Sequence, residues 1–171
     1  GQWRAPAKPD AGHPPAPSEE LDVAGMVARL EARLSANPND MGGQLMLARS
    51  YIALGRLDDA LERYRKVLSV DSRSEEAHLG VATLMLQAGH LDKAAKSLEE
   101  ALKTSPKSGP TRWMRGLVFA KQGRFDEAEK TWRGLLKEMP PDSREAGMIR
   151  ESLVELEKGR KAGASAVPQA R

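Results

Sequence analysis

Reactive side chains are sparse in this chain of 171 residues. Its three histidines, His13, His78 and His90, stand alone, with neither a second histidine one helical turn away nor the carboxylate arrangement of a metal or general-base site. The chain has no cysteine, which excludes a disulfide framework, a thiolate metal site and a Cys-x-x-Cys-His haem attachment. No glycine-rich phosphate loop, nucleophile elbow or pair of catalytic carboxylates occurs. The expectation is a protein that is no enzyme, holds no metal and needs no cofactor, with each histidine packed or solvated. What remains is recognition by apolar and charged side chains, and these need regular elements to line them up.

Those elements are written as a repeat. Gly55-Arg56-Leu57-Asp58-Asp59-Ala60 returns as Gly89-His90-Leu91-Asp92-Lys93-Ala94 and as Gly123-Arg124-Phe125-Asp126-Glu127-Ala128, a step of 34 residues each time. In a chain whose other signals are helical, that step is the length of one helix-turn-helix unit. Extended outward, the alignment gives repeats at 41–74, 75–108 and 109–142. They resemble the tetratricopeptide repeat (TPR) family in Leu47, Ala48, Tyr51, Ala60 and Tyr64, in Ala82, Ala94, Ala101 and Pro106, and in Gly116, Phe119, Ala128, Trp132 and Pro140. The resemblance implies an all-α solenoid of three helix pairs. Small residues at repeat positions 8 and 20 let the two helices approach, and large ones at 11 and 24 fill the space beside them.

The glycine of each hexapeptide is expected to stop the first helix, because it takes positive φ without a Cβ clash. Asp58, Asp92 and Asp126 are expected to accept free amides at the start of the second helix. Arg115 is a departure, standing where an apolar residue belongs, with Trp113 and Met114 beside it to take over the packing. Flanking helices are expected as well. Val23, Val27, Leu30 and Leu34 form an apolar stripe between Glu19 and Ala36, and Ala146, Ile149, Leu153 and Leu156 form another from Ser143 to Gly159. The last would cover the open apolar face of repeat three, which makes 18–159 the folded unit.

Composition marks the ends off. Five of the eleven prolines fall in residues 1–17, which read as a flexible tether, and 160–171 read as a flexible tail. No apolar run approaches a membrane span. The chain opens on Gly1 instead of Met, so the lack of a targeting signal says nothing about a leader or anchor. Lys and Arg number 27 against 24 Asp and Glu, a net charge of +3, with the signs interleaved. That is a solvated helix surface, not a nucleic-acid face. Arg112, Arg115, Lys121 and Arg124 form the one local excess, read as lying on a single helix and suited to an acidic stretch of a partner.

First helices line the concave face of such a solenoid. Projecting its inward positions names a strip: Leu45, Arg49 and Ile52 from repeat one, Leu79, Thr83 and Leu86 from repeat two, Trp113, Leu117 and Lys121 from repeat three. An apolar strip with a few polar edges suits an amphipathic helix or an extended hydrophobic peptide. The same side chains have a second reading, as packing between neighbouring first helices. The Lys and Asn clamp by which some TPR grooves hold a C-terminal carboxylate is absent, since those positions read Leu45 and Arg49, then Leu79 and Thr83.

Two segments carry a narrower resemblance. Met26-Val27-Ala28-Arg29-Leu30-Glu31-Ala32-Arg33-Leu34, running through Asn37-Pro38 to Leu54-Gly55-Arg56, and Thr131-Trp132-Arg133-Gly134-Leu135-Leu136 with Met139-Pro140-Pro141-Asp142-Ser143, are similar to the periplasmic C-terminal part of the cytochrome c biogenesis protein family CcmI/CycH. Gln44 departs from the tryptophan usual there. The resemblance implies a chaperone on the periplasmic face of the bacterial inner membrane, whose membrane contact comes from a segment outside these residues. It implies as partners the C-terminal helix of apocytochrome c and the haem ligation components, and no nucleic acid. The other function open to such a repeat is a general scaffold for assembling a cell-envelope or cytoplasmic complex.

Overall fold

The computed structural model describes residues 17–166, and they are helical apart from short turns. The order is α1 (Pro17–Ala36), α2 (Met41–Ala53), α3 (Leu57–Val70), α4 (Glu75–Gln87), α5 (Leu91–Thr104), α6 (Gly109–Lys121), α7 (Phe125–Lys137) and α8 (Arg144–Ala166). The chain packs as pairs, α2 with α3, α4 with α5 and α6 with α7, each pair stacked on the next. This is the all-α TPR architecture.

The turns explain the pairing. Gly55, Gly89 and Gly123 take φ of 72°, 78° and 74°. Around the first, the Gly55 amide donates to the Ile52 carbonyl at 3.0 Å and the Arg56 amide to Tyr51 at 2.8 Å, closing the helix end and sending the chain back antiparallel. The helices of each pair come together where side chains are small: Ala48, Ala60, Ala82, Ala94 and Ala128 are all fully buried, and Gly116 lies against Trp132 of the returning helix.

Three linked clusters make the core. One joins Val27, Leu30 and Leu34 of α1 to Leu47, Tyr51, Tyr64 and Val67. A second holds Met85, Leu98 and Val118. The third joins Phe119, Trp132 and Leu135 to Ile149 and Leu156 of α8. The flanking helices therefore cover the apolar ends of the stack, α1 against α2 and α8 against α7.

Three sequence expectations need correction. Residues 160–171 read as a tail, yet α8 continues through 160–166, past Gly159. Arg160 explains this by reaching Asp126 at 2.6 Å and Glu129 at 3.1 Å on α7, and Gly159 and Gly163 lie on the side of the helix that faces the Phe125 ring. Residues 167–171, and all but Pro17 of the expected tether, lie outside the described residues; Pro17 opens α1. Finally, Asp58, Asp92 and Asp126 are not caps. The N-cap residues are Arg56, His90 and Arg124, none with a side-chain cap bond, and the aspartates sit inside the first turn, where a carboxylate suits the positive helix end.

Candidate functional site

The first helices α2, α4 and α6 are capped alike, by the side chains of Asp40, Ser74 and Ser108 accepting from Gly43, Ala77 and Thr111. Equal starts put equal positions in rows. Leu45, Leu79 and Trp113 form one row, and each is half-buried with part of its surface open. Each also packs on a different core cluster, Leu45 on the first, Leu79 on the middle one and Trp113 on the last. The two readings of these side chains therefore coincide: one flank is core and the other faces outward.

The second row is Arg49, Thr83 and Leu117. Arg49 is exposed and pairs with Glu76 on the next first helix. Thr83 Oγ1 donates to its own helix at the Leu79 carbonyl, 2.9 Å away, and lies 3.8 Å from Met114 Sδ on α6. Leu117 is half-buried. Ile52 and Leu86 continue the apolar surface half-buried, and Lys121 stands exposed at its edge with no ion pair among the described residues. The structure thus sets the nine sequence-derived residues on three adjacent helices with an apolar middle and charge at the margins.

The proposed basic cluster does not survive as a unit. Arg124 lies outside α6, at the start of α7, where it holds Glu127 and covers the Phe119 ring at 4.6 Å. Arg115 also lies over that ring, 5.2 Å from its centroid, which accounts for its replacing an apolar residue. Arg112 pairs with Glu138. Only Lys121 remains for a partner.

Two features were beyond sequence reasoning. Trp113 Nε1 donates to Ser152 Oγ of α8 at 3.4 Å, which ties the indole to the closing helix, while the Trp113 backbone carbonyl accepts from Trp132 Nε1 at 3.0 Å, which ties α6 to α7. Glu75 joins α4 to α6 by accepting from Thr111 Oγ1 at 3.1 Å. Burial opposes ionisation of Glu75, but the hydroxyls of Ser108, Ser105 and Thr111 outweigh it and hold the carboxyl below its ordinary range. A run of Ser and Thr between 105 and 111 was the available signal.

Two of the three histidines lie among the described residues. His78 is buried with Nε2 2.8 Å from the Ser72 carbonyl, His90 is exposed at a helix start, and His13 lies outside the described residues. Among the described residues no group of His, Cys, Asp or Glu is placed to hold a metal. No helix there is long and apolar enough to cross a membrane.

Residues 11–146 match the family model of the cytochrome c-type biogenesis protein H TPR domain. No curated protein matches the chain. Among solved structures, a tetratricopeptide repeat protein from Parabacteroides merdae aligns with TM-score 0.73 at 22% identity, over 87% of this chain and 57% of that one, so this chain spans little more than half its length. MamA aligns with TM-score 0.66 at 23% identity, over 84% of this chain and 88% of that one. A thermophilic TPR protein from Thermus thermophilus aligns with TM-score 0.57 at 26% identity, over 84% and 81% of the two chains.

Proposed function

We propose that this chain, which belongs to the family of the cytochrome c-type biogenesis protein H TPR domain, binds a segment of another protein on the inner face of its solenoid. The segment is the C-terminal helix of an apocytochrome c, held before haem is attached and handed to the haem ligation components. The place of action is the periplasmic face of the inner membrane. One observation carries the reading: Leu45, Leu79 and Trp113 stand in one row on three adjacent first helices, each anchored in the core on one flank and open on the other. A row of rigid, half-open apolar residues matches the stripe of an amphipathic helix, which is free only until the cytochrome folds around its haem.

Titration of the protein with a peptide copied from the C-terminal helix of a c-type apocytochrome tests this. Micromolar affinity, about 8 kcal/mol, is expected. Trp113→Ala should cost about 1 to 3 kcal/mol of it. The combined variant Trp113→Ala, Leu79→Asp, Ile52→Asp, with its helicity and melting checked, should abolish binding. Binding indifferent to those changes would remove the inner face. No binding to any apocytochrome peptide would favour a scaffold for complex assembly, a reading that exposed Met26, Val70 and Val154, away from the inner row, would then carry.

A further inference from the structure

The helix that closes the solenoid also belongs to its inner layer. Its cap is Ser143, whose Oγ accepts from the Ala146 amide at 3.2 Å, as Ser108 accepts from Thr111 at 3.4 Å. The caps Asp40, Ser74 and Ser108 are 34 residues apart, but Ser143 follows Ser108 by 35, the added residue falling in the Pro140-Pro141 turn. Aligned on the caps, Ala146 falls level with Gly43, Ala77 and Thr111, and all four are buried. Met148 then falls level with Leu45, Leu79 and Trp113. Ser152 falls level with Leu117, and its hydroxyl meets the Trp113 indole. Met148 is 40% exposed while its neighbour Ile149 is 2% exposed and in the core, so the helix turns Met148 outward on the side next to Trp113.

We infer that Met148 is the fourth contact of the row, and that the inner face selects its ligand by length. This rests on the reading proposed above. Neighbouring first helices meet through side chains, so each step is at least the roughly 10 Å of packed helices; four rungs then span about 30 Å or more, the length of about 20 helical residues, where three rungs would need about 13. A methionine at the end of the row adapts to ligands of differing shape. At the margin, Lys121 is an exposed cation without a partner among the described residues, whereas Glu155 nearby in the row's register is already held by Lys158 at 2.9 Å. The occupant is therefore an amphipathic helix of about 20 residues with an acidic residue flanking its apolar stripe at that edge.

Two peptides serve as probes: a 20-residue apocytochrome C-terminal helix with one acidic flanking residue, and its 13-residue truncation. The long peptide should bind at least about tenfold tighter, and Met148→Glu should erase that advantage. Val154→Glu, on the same helix, 56% exposed and outside the row, should leave it intact. Both positions are exposed, so both variants should melt as the parent does, with Met148→Ala as a milder check. Replacing the acidic flank by lysine should weaken binding, and Lys121→Glu should restore it. Equal binding of the two peptides, still dependent on Trp113, would overturn the four-rung row and leave the proposed function standing. An advantage of the long peptide that survives Met148→Glu would do the same. Failure of both peptides to bind the parent protein would remove both.

Discussion

Gly116 lies under the indole of Trp132 so closely that a Cβ there would sit 2.2 Å from Nε1. The ring cannot retreat, because that nitrogen donates to the Trp113 carbonyl and the side chain is 3% exposed. Gly116→Ala should therefore destabilise by about 1 to 3 kcal/mol through overpacking. Gly80, where a Cβ would sit 2.3 Å from the Tyr64 ring, should behave alike, while Gly147→Ala, with nothing within 4 Å, should stabilise slightly or change nothing. Urea unfolding of the three variants checks this; equal midpoints would refute the close approach.

The alanines at repeat position 20 make the same kind of contact within each pair. Ala60, Ala94 and Ala128 are each 0% exposed. Leucine at any of them should cost about 1 to 3 kcal/mol by forcing two helices apart. A melting temperature unchanged in all three would contradict the packing of α2 on α3, α4 on α5 and α6 on α7.

These contacts were legible because they recur. A hexapeptide seen three times gives the turn, the turn gives the helix pair, and the positions of Ala60, Ala94 and Ala128 follow from the period. Arg115 breaks the repeat pattern, but its role is not periodic: it and Arg124 both lie over the Phe119 ring, a grouping that depends on where the α6–α7 turn brings the chain. The length of α8 was hidden for another reason. Glycine and alanine after Gly159 suggest a tether, whereas here Arg160 fixes the helix end through carboxylates on α7. Trp113 was named from its row, but not its bond to Ser152, since the extra residue at Pro140-Pro141 breaks the period on which that reading relied.

The closing helix should be required for a soluble, monomeric protein. Ile149 and Leu156 are 2% and 5% exposed and cover Phe119, Trp132 and Leu135. Ending the chain at Asp142 uncovers that surface, so a lower melting temperature and association in sedimentation are expected. Ending it at Gly159 removes the last turns of α8 with the Arg160 ion pairs and its contact with the Phe125 ring, but leaves Ile149 and Leu156 in place, so the loss should be much smaller than that of ending at Asp142. If the shorter form melts like the parent and stays monomeric, α8 is not a cap.

The two tyrosines should resist ionisation while the protein is folded. Tyr51 is pushed up to about 12, first by burial and then by Glu31, whose Oε1 accepts its hydroxyl proton and whose charge opposes a phenolate. Tyr64 is raised too, first by burial and then by Glu76. The folded state therefore favours both neutral phenols. Below about pH 10, the ordinary phenol value, this contributes its full stabilisation, since both states are protonated there. Above it the unfolded chain loses its protons first, so stability falls as pH climbs from about 10 towards 12. Phenolate absorbance should stay low through pH 10 and rise together with the loss of helical circular dichroism. Glu31→Gln keeps an acceptor and removes the charge, and so should bring the Tyr51 titration down and reduce the alkaline loss of stability. A phenol titrating at about pH 10 in the intact fold would show that α1 does not hold Tyr51 through Glu31.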